Sequence, residues 1–317
     1  MSLAGFFKRG NDSIATRLKT SKNPAISLGY LHARSLKRRL FSAKLNFVSL
    51  EDMLMWTHDF TRQVPNRFDV IVGVPRSGLM VASIMAVKFG RPLATPDMLK
   101  TGDFWKSQMM PEVNTIKSVL IVDDSVRSGG SMESAKKIVS ECLPRTEIVT
   151  ASIIIEGDAT GKVDYWHKIV HSPRMFEWNL LHSKMGMVAM DLDGVLCADG
   201  PKGIEEDEGK YVEWIRNATP YLIPSFEVDA IVSNRLEKYR AETENWLKHN
   251  GVRYRQLLLW DLRDKSERKG RHGERKAEVL LQLKPIYFVE SAQWEAEAIW
   301  ELTKIPTFCV ENLVYYN

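Results

Sequence analysis

Two runs in this sequence end apolar stretches in closely spaced carboxylates. In the first, Val119-Leu120-Ile121-Val122 leads into Asp123-Asp124-Ser125-Val126-Arg127-Ser128-Gly129-Gly130-Ser131. The apolar, mostly β-branched residues predict a buried parallel strand, and Met132 to Cys142 has helical composition. Two acids leaving such a strand can accept hydrogen bonds from neighbouring ribose hydroxyls. The small residues let backbone N–H groups close around a phosphate, and the helix N-terminus adds its positive end. The combination suits a ribose carrying a 5′-phosphate. In the second run, Met187-Val188-Ala189-Met190 ends in Asp191-Leu192-Asp193-Gly194. Carboxylates at i and i+2 on an unwinding strand end can divide labour, one attacking phosphorus and the other protonating the leaving oxygen. Gly194 permits the turn that aims them. In isolation the pattern is equally a plain turn or a calcium-loop fragment.

Upstream of the first run, Asp69-Val70-Ile71-Val72-Gly73-Val74 reads as another buried strand, followed by Pro75-Arg76-Ser77-Gly78 and an apolar helix from Leu79 to Phe89. Such a turn presents backbone amides and one guanidinium at the C-terminal edge of a parallel sheet, where α/β folds bind ligands. Arg76 can fork onto two phosphate oxygens. Together, the Asp-Asp run and this turn resemble the phosphoribosyl-pyrophosphate (PRPP) signature of type I phosphoribosyltransferases. The resemblance implies that Asp123 to Ser131 cradle the ribose 5-phosphate. It makes Pro75, Arg76, Ser77 and Gly78 the pyrophosphate loop, a place where the family often holds a non-proline cis peptide. It also implies a mobile loop between Lys100 and Lys117, with Lys100 and Lys106 as candidates to reach pyrophosphate. The aromatic stretch from Asp164 to His182 would be the family's variable hood, with Phe176 and Trp178 stacking on the base; core packing explains the same aromatics equally well. Arg127 departs from the family, which often carries Thr or an acid there, so base handling is expected to differ.

The second run is extended by later residues. Asp229-Ala230-Ile231-Val232 leads to Ser233-Asn234-Arg235, Lys276 opens a helix-like stretch to Leu283, and Ile286-Tyr287-Phe288-Val289 ends in Glu290-Ser291. In order, these resemble the four motifs of haloacid-dehalogenase-like phosphatases. The resemblance implies that Asp191 is a nucleophile and Asp193 a general acid/base. Ser233, Asn234 and Lys276 would hold phosphoryl oxygens, and Asp191, Asp193 and Glu290 would bind Mg²⁺. Ser291 stands where the family commonly has a second acid. The inserts 197–232 and 234–275 are too short for a large cap domain. The site is therefore expected to be open, with Glu205-Glu206-Asp207-Glu208 a solvated loop.

These sites need sheets to carry them. Strands are expected at 69–74, 92–95, 118–122 and 147–155, alternating with helices at 79–89 and 131–142, and Ser49-Leu50-Glu51-Asp52 opens a helix through Gln63 with a capping-box-like start. That alternation implies a doubly wound parallel sheet. The expected fold is α/β throughout: a phosphoribosyltransferase domain over 46–184, then a minimally capped Rossmann-like domain over 185–317. Residues 1–45 form a basic arm, with Lys8, Arg9, Arg17, Lys19, Lys22, Arg34, Lys37, Arg38, Arg39 and Lys44 against Asp12 alone. A solvated face is its plainest reading, because it is too short for a winged helix; contact with nucleic acid or an anionic substrate stays open.

The chain has 317 residues, 44% hydrophobic and 26% charged, with a net charge of +4. No stretch reaches membrane-span length and no apolar signal core precedes the first domain, so no membrane partner is expected. Cys142, Cys197 and Cys309 lie far apart without metal-like spacing, as expected of a reducing cytoplasm. The reading is a bifunctional, Mg²⁺-using enzyme. One domain joins PRPP to a nitrogenous base, and the other removes phosphate from a nucleotide monophosphate or related ester. The resembled transferase family is commonly dimeric. Two alternatives remain: a PRPP-sensing regulator that binds nucleic acid, and a nucleotide phosphatase whose PRPP-fold domain does not catalyse. Orotate, purines and other bases are all open.

Overall fold

The uninterrupted apolar runs become strands whose successive side chains supply opposite faces of a sheet, so both faces must be covered. A computed structural model describes residues 45–105, 115–182, 186–201, 209–262 and 270–317. The described chain divides into two compact units, Leu45–Leu180 and Leu181–Asn317.

In the first unit, strands β1 (Asn46–Val48), β2 (Val70–Gly73), β3 (Leu93–Ala94), β4 (Ser118–Val126), β5 (Glu147–Ile155), β6 (Tyr165–Ile169) and β7 (Arg174–Phe176) alternate with helices α1 (Leu50–Phe60), α2 (Gly78–Phe89), α3 (Met98–Thr101) and α4 (Gly130–Cys142). Five strands form a parallel sheet in the order β3-β2-β4-β5-β6. The alternation of side chains divides its core. Ile71, Leu120 and Val122 join α1 and α2 on one face, through Met53, Phe60, Val81 and Met85. Val70, Val72, Val119 and Ile121 meet α4 on the other, through Met132, Ala135 and Val139. The capping box at α1 is complete: Ser49 Oγ accepts the Asp52 N–H at 3.0 Å, and the Asp52 carboxylate accepts the Ser49 N–H at 3.0 Å.

Two expectations change here. The strand expected over 118–122 continues to Val126, because β5 is equally long and carries the ladder on through Ser125↔Ile154 and Val126↔Ile155. The acidic pair therefore lies inside a strand rather than beyond its end. The aromatic 164–182 segment is also not one hood: Tyr165–Ile169 is the edge strand of the main sheet. Only β7 leaves it, pairing in parallel with β1 as a separate two-stranded sheet.

The second unit holds β8 (Val188–Met190), α5 (Gly209–Asn217), β9 (Ala230–Leu236), α6 (Arg240–His249), β10 (Leu257–Trp260), α7 (His272–Leu283), β11 (Tyr287–Glu290), α8 (Gln293–Thr303), β12 (Thr307–Cys309) and β13 (Tyr315–Tyr316). Its sheet runs β10-β9-β8-β11-β12-β13, parallel except for β13. Strand order reverses at β8, which has β9 on one side and β11 on the other. Such a reversal opens a crevice at the carboxyl ends of the strands. The three cysteines are free. Among the described residues, no helix is long and apolar enough to cross a membrane.

Candidate functional site

In the first unit, β2 stops pairing with β4 at Gly73↔Val122, so Asp123 and the residues after it have β5 on one side only. The chain from β2 turns through Pro75 and Arg76, both exposed, across a cis Pro75–Arg76 peptide, and then enters α2 at Gly78. Gly78 packs onto β4 so tightly that a Cβ would lie 2.8 Å from Asp123 Oδ1 and 3.0 Å from both Asp123 Cα and the Val122 carbonyl oxygen. Ser77 Oγ donates to Asp124 Oδ1 at 2.8 Å. The expected pyrophosphate turn and acidic pair are thus in direct contact. Ser125 and Val126 complete the strand, Arg127 and Ser128 are exposed, and Gly129, at φ 82°, leads to Gly130 and Ser131 at the N-terminus of α4.

Asp123 and Asp124 are both buried. Burial, and then the adjacent Asp124 charge, push the Asp123 carboxyl up to about 8. The pair therefore resists carrying two negative charges. Lys162 Nζ donates to the Arg127 carbonyl at 3.1 Å, and its side chain lies 3.2 Å from where a Gly129 Cβ would stand. This ammonium beside the loop was not found from sequence, where it is one lysine in a polar turn. Lys100 moves out of the site: it pairs with Asp97 at 2.7 Å and lies near Glu141 and Cys142, at the far end of α4 from Gly130. Lys106 lies outside the described residues. Phe176 and Trp178 stack on each other, with centroids 4.8 Å apart and an interplanar angle of 4°, and the Trp178 indole N–H donates to Asp124 Oδ2 at 2.8 Å.

In the second unit, Asp191 directly follows β8, Ser233 and Asn234 lie in β9, Glu290 ends β11 and Lys276 sits in the first half of α7. Lys276 Nζ meets Asp191 Oδ2 at 2.8 Å, Glu290 Oε2 at 2.8 Å and Glu295 Oε2 at 2.7 Å. Burial alone would push this ammonium down, but the carboxylates around it outweigh burial and hold it well above the usual lysine range. Burial, with the nearby Glu290 charge, raises Asp191 despite Lys276. Glu295 behaves oppositely: burial would raise it, but the hydrogen bond to His272 and the Lys276 charge hold it low. Ser291 takes part too, its N–H donating to Glu290 Oε1 at 2.8 Å. The turn after Asp193 needs a glycine: Gly194 has φ 74°, and a Cβ there would lie 2.5 Å from that of Ser291.

Asp193 does not join this cluster. Its carboxylate faces Arg235, whose Nε and Nη2 reach its oxygens at 2.6–3.1 Å. Ser233 Oγ accepts the Arg235 N–H at 3.1 Å, and Asn234 donates to Glu295 Oε2 at 3.3 Å. The expected metal set of Asp191, Asp193 and Glu290 is therefore not assembled. Lys276 bridges two of the acids, Arg235 engages the third, and among the described residues no three His, Cys, Asp or Glu side chains are grouped for a metal ion. Arg235 and Glu295 were not singled out from sequence. The i+2 spacing of Arg235 after Ser233 was the available signal for the first, and Glu295, inside an ordinary helix, gave none.

Comparison with known proteins bears on the first unit. Residues 46–189 match the family described as "Phosphoribosyl transferase domain". An orotate phosphoribosyltransferase of Sulfurisphaera tokodaii is 31% identical over 94 residues, 30% of this chain and 46% of that protein. The transcriptional regulator GfcR of Methanocella arvoryzae is 29% identical over 119 residues, 34% of this chain and 56% of that protein. The chain thus spans about half the length of the curated relatives it matches. Among solved structures, the Helicobacter pylori xanthine-guanine-hypoxanthine phosphoribosyltransferase aligns with TM-score 0.34 and 20% identity, covering 43% of this chain and 92% of that one. The Pyrococcus horikoshii purine phosphoribosyltransferase aligns with TM-score 0.33 and 19% identity, covering 43% and 94%. Over residues 46–189, then, this chain is similar to phosphoribosyltransferase domains.

Proposed function

We propose that the first unit transfers phosphoribose from PRPP to a nitrogenous base, and that the second hydrolyses a phosphomonoester such as the nucleotide so formed. The observation that carries the first reading is the placement of buried Asp123 and Asp124 against the Pro75–Gly78 turn, one short loop before the N-terminus of α4. A ribose bound to the acid pair would put its 5-phosphate on the Gly129–Ser131 amides and its pyrophosphate on the Arg76 side. The C1–O bond breaks with the electron pair leaving on pyrophosphate. A C1–N bond forms, and the base nitrogen loses its proton. The protein's part is to hold pyrophosphate and place the reacting carbon. PRPP would bring Mg²⁺ as part of the substrate.

For the second unit, Lys276 beside Asp191 at a strand-order reversal supports phosphoryl chemistry. Asp191 Oδ would attack phosphorus, the ester P–O bond would break, and the leaving oxygen would take its proton from water, because Arg235 holds Asp193 as a carboxylate. Water would then cleave the aspartyl-phosphate, and Asp193 would accept a proton from the water of this second step once that ion pair opens. Lys276 would pass from its carboxylates to the incoming phosphoryl oxygens.

The test is a panel of bases with PRPP and Mg²⁺, following pyrophosphate and inorganic phosphate together. Asp124→Ala should abolish pyrophosphate release, and Asp191→Asn the release of phosphate from added nucleotides. If Asp124→Ala still releases pyrophosphate, the first assignment is wrong. The similarity to GfcR favours a second reading, a PRPP-responsive regulator. PRPP-dependent, salt-sensitive retention of DNA or RNA on a filter, without pyrophosphate release from any base, would select it.

A further inference from the structure

Both carboxylate oxygens of Asp124 are held by the protein. Ser77 Oγ donates to Oδ1 at 2.8 Å from the turn after β2, and Trp178 Nε1 donates to Oδ2 at 2.8 Å from the segment after β7. Trp178 is itself constrained. Its ring lies flat on Phe176, and the Arg174 guanidinium stands 5.2 Å from the Phe176 ring centroid. Phe176 in turn belongs to β7, fixed by its register with β1 through Val48↔Phe176. The indole therefore cannot shift toward a base without losing either its stack or its bond to Asp124.

A carboxylate has about four acceptor positions. Two donors from two separate elements set its plane and leave the remaining positions for further donors. Vicinal ribose hydroxyls, which must both be met at fixed angles, benefit from a carboxylate oriented before they arrive.

We propose that Trp178 is a positioning residue for Asp124: its indole N–H fixes the carboxylate that receives the ribose hydroxyls of PRPP. This rests on the reading of the acidic pair as the ribose site. It assigns Trp178 to PRPP recognition, through its edge, rather than to gripping the base by its face. Hydrogen bonds to a charged group are the stronger class. Losing one that orients a ligand-binding carboxylate corresponds to about a tenfold loss of affinity.

The experiment uses the full chain and Mg²⁺–PRPP in a calorimeter. Trp178→Phe keeps a ring on Phe176 and deletes the N–H. PRPP affinity should fall about tenfold, whereas the KM for a base that supports pyrophosphate release, at saturating PRPP, should change less than twofold. Unchanged PRPP affinity, or a rise in the base KM alone, would overturn the proposal. Should Trp178→Phe fail to fold, Asp124→Asn reads the same bond from the other side. One tryptophan indole N–H should then move in the ¹⁵N–¹H spectrum and exchange faster with solvent, and an unaltered set of indole signals would equally overturn it. If wild-type protein binds no PRPP while that indole still responds to Asp124→Asn, the ribose-site reading falls and the bond between the two residues stands.

Discussion

Arg235 grips Asp193 across the second site. The guanidinium side chain is 1% exposed and the carboxylate 26%, with Nη2 and Oδ1 2.6 Å apart. The same guanidinium reaches Thr243 Oγ1 and Cys197 Sγ, and its carbon stands 4.9 Å from the centre of the Trp214 ring on α5. Burial works against this charge, and Asp193 outweighs burial, so the guanidinium is held above its ordinary range. The short insert before β9, expected to leave the site open, thus supplies a helix that covers the residue fixing Asp193.

The unequal burial of that pair predicts unequal costs. Asp193→Asn leaves a buried guanidinium without its counter-charge, the situation that costs about 3–5 kcal/mol. Arg235→Met leaves behind only a partly exposed carboxylate, which water can reach, and fills the guanidinium's space with an apolar chain. Urea unfolding should rank Asp193→Asn as the more destabilised, by roughly 1–2 kcal/mol. The reverse order would mean that water reaches Arg235 in solution.

Stability should also depend on Asp123. Folded, its carboxyl titrates at about 8 against an ordinary value of 3.8, chiefly because it is buried. Between these values the folded chain holds a proton that the unfolded chain has released. The contribution is therefore complete below about pH 4 and is lost as pH rises toward 8, with a slope of at most about 1.4 kcal/mol per pH unit. Asp123→Asn, neutral at every pH, should remove that slope from the denaturation midpoints and be the more stable protein at pH 8. Parallel pH profiles for the two proteins would contradict the raised value.

Lys276 meets three carboxylates at 2.7–2.8 Å, so its removal should be severe. Lys276→Met leaves Asp191, Glu290 and Glu295 facing one another in a buried space. A loss of about 3–5 kcal/mol is expected, together with loss of phosphate release. Lys276→Met combined with Glu290→Gln should recover part of the stability without recovering activity. A double variant no more stable than the single one would show that the carboxylates do not repel through that space.

The legible parts of this molecule were those carried by local pattern. The strands containing Val70–Gly73, Val188–Met190 and Tyr287–Glu290 are apolar runs that end at chemistry-bearing residues, and their period and length are visible without neighbours. The Ser49–Asp52 cap is equally local. The rest depends on partners distant in sequence. Asp123 stays in a strand because Ser152 to Ile155 lie beside it, and Tyr165–Ile169 is a sheet edge because it continues from β5. Pairings such as Trp178 with Asp124, Arg235 with Asp193 and Glu295 with Lys276 decide what each carboxylate can do. A local spacing can single out one partner, as Arg235 two residues after Ser233, but not the pairing itself, because each joins residues on different elements.

The closest packing in the first site yields the last prediction. Gly78 has no room for a side chain, and two of the three atoms that a Cβ would meet, Asp123 Cα and the Val122 carbonyl oxygen, are backbone of the central strand. Neither can rotate away, so Gly78→Ala must move α2 off β4 and carry Ser77 from Asp124. Overpacking of this kind costs about 1–3 kcal/mol, and PRPP affinity should fall with it. Gly90 is the control at the other end of the same helix. Its φ is 64° and nothing lies within 4 Å of a Cβ placed there, so Gly90→Ala carries only the backbone penalty of about 1 kcal/mol. Calorimetric PRPP titration of both variants should show weakened binding for Gly78→Ala and wild-type binding for Gly90→Ala. Equal affinities would mean that the contact between the Pro75–Gly78 turn and the acidic pair does not shape the ligand site.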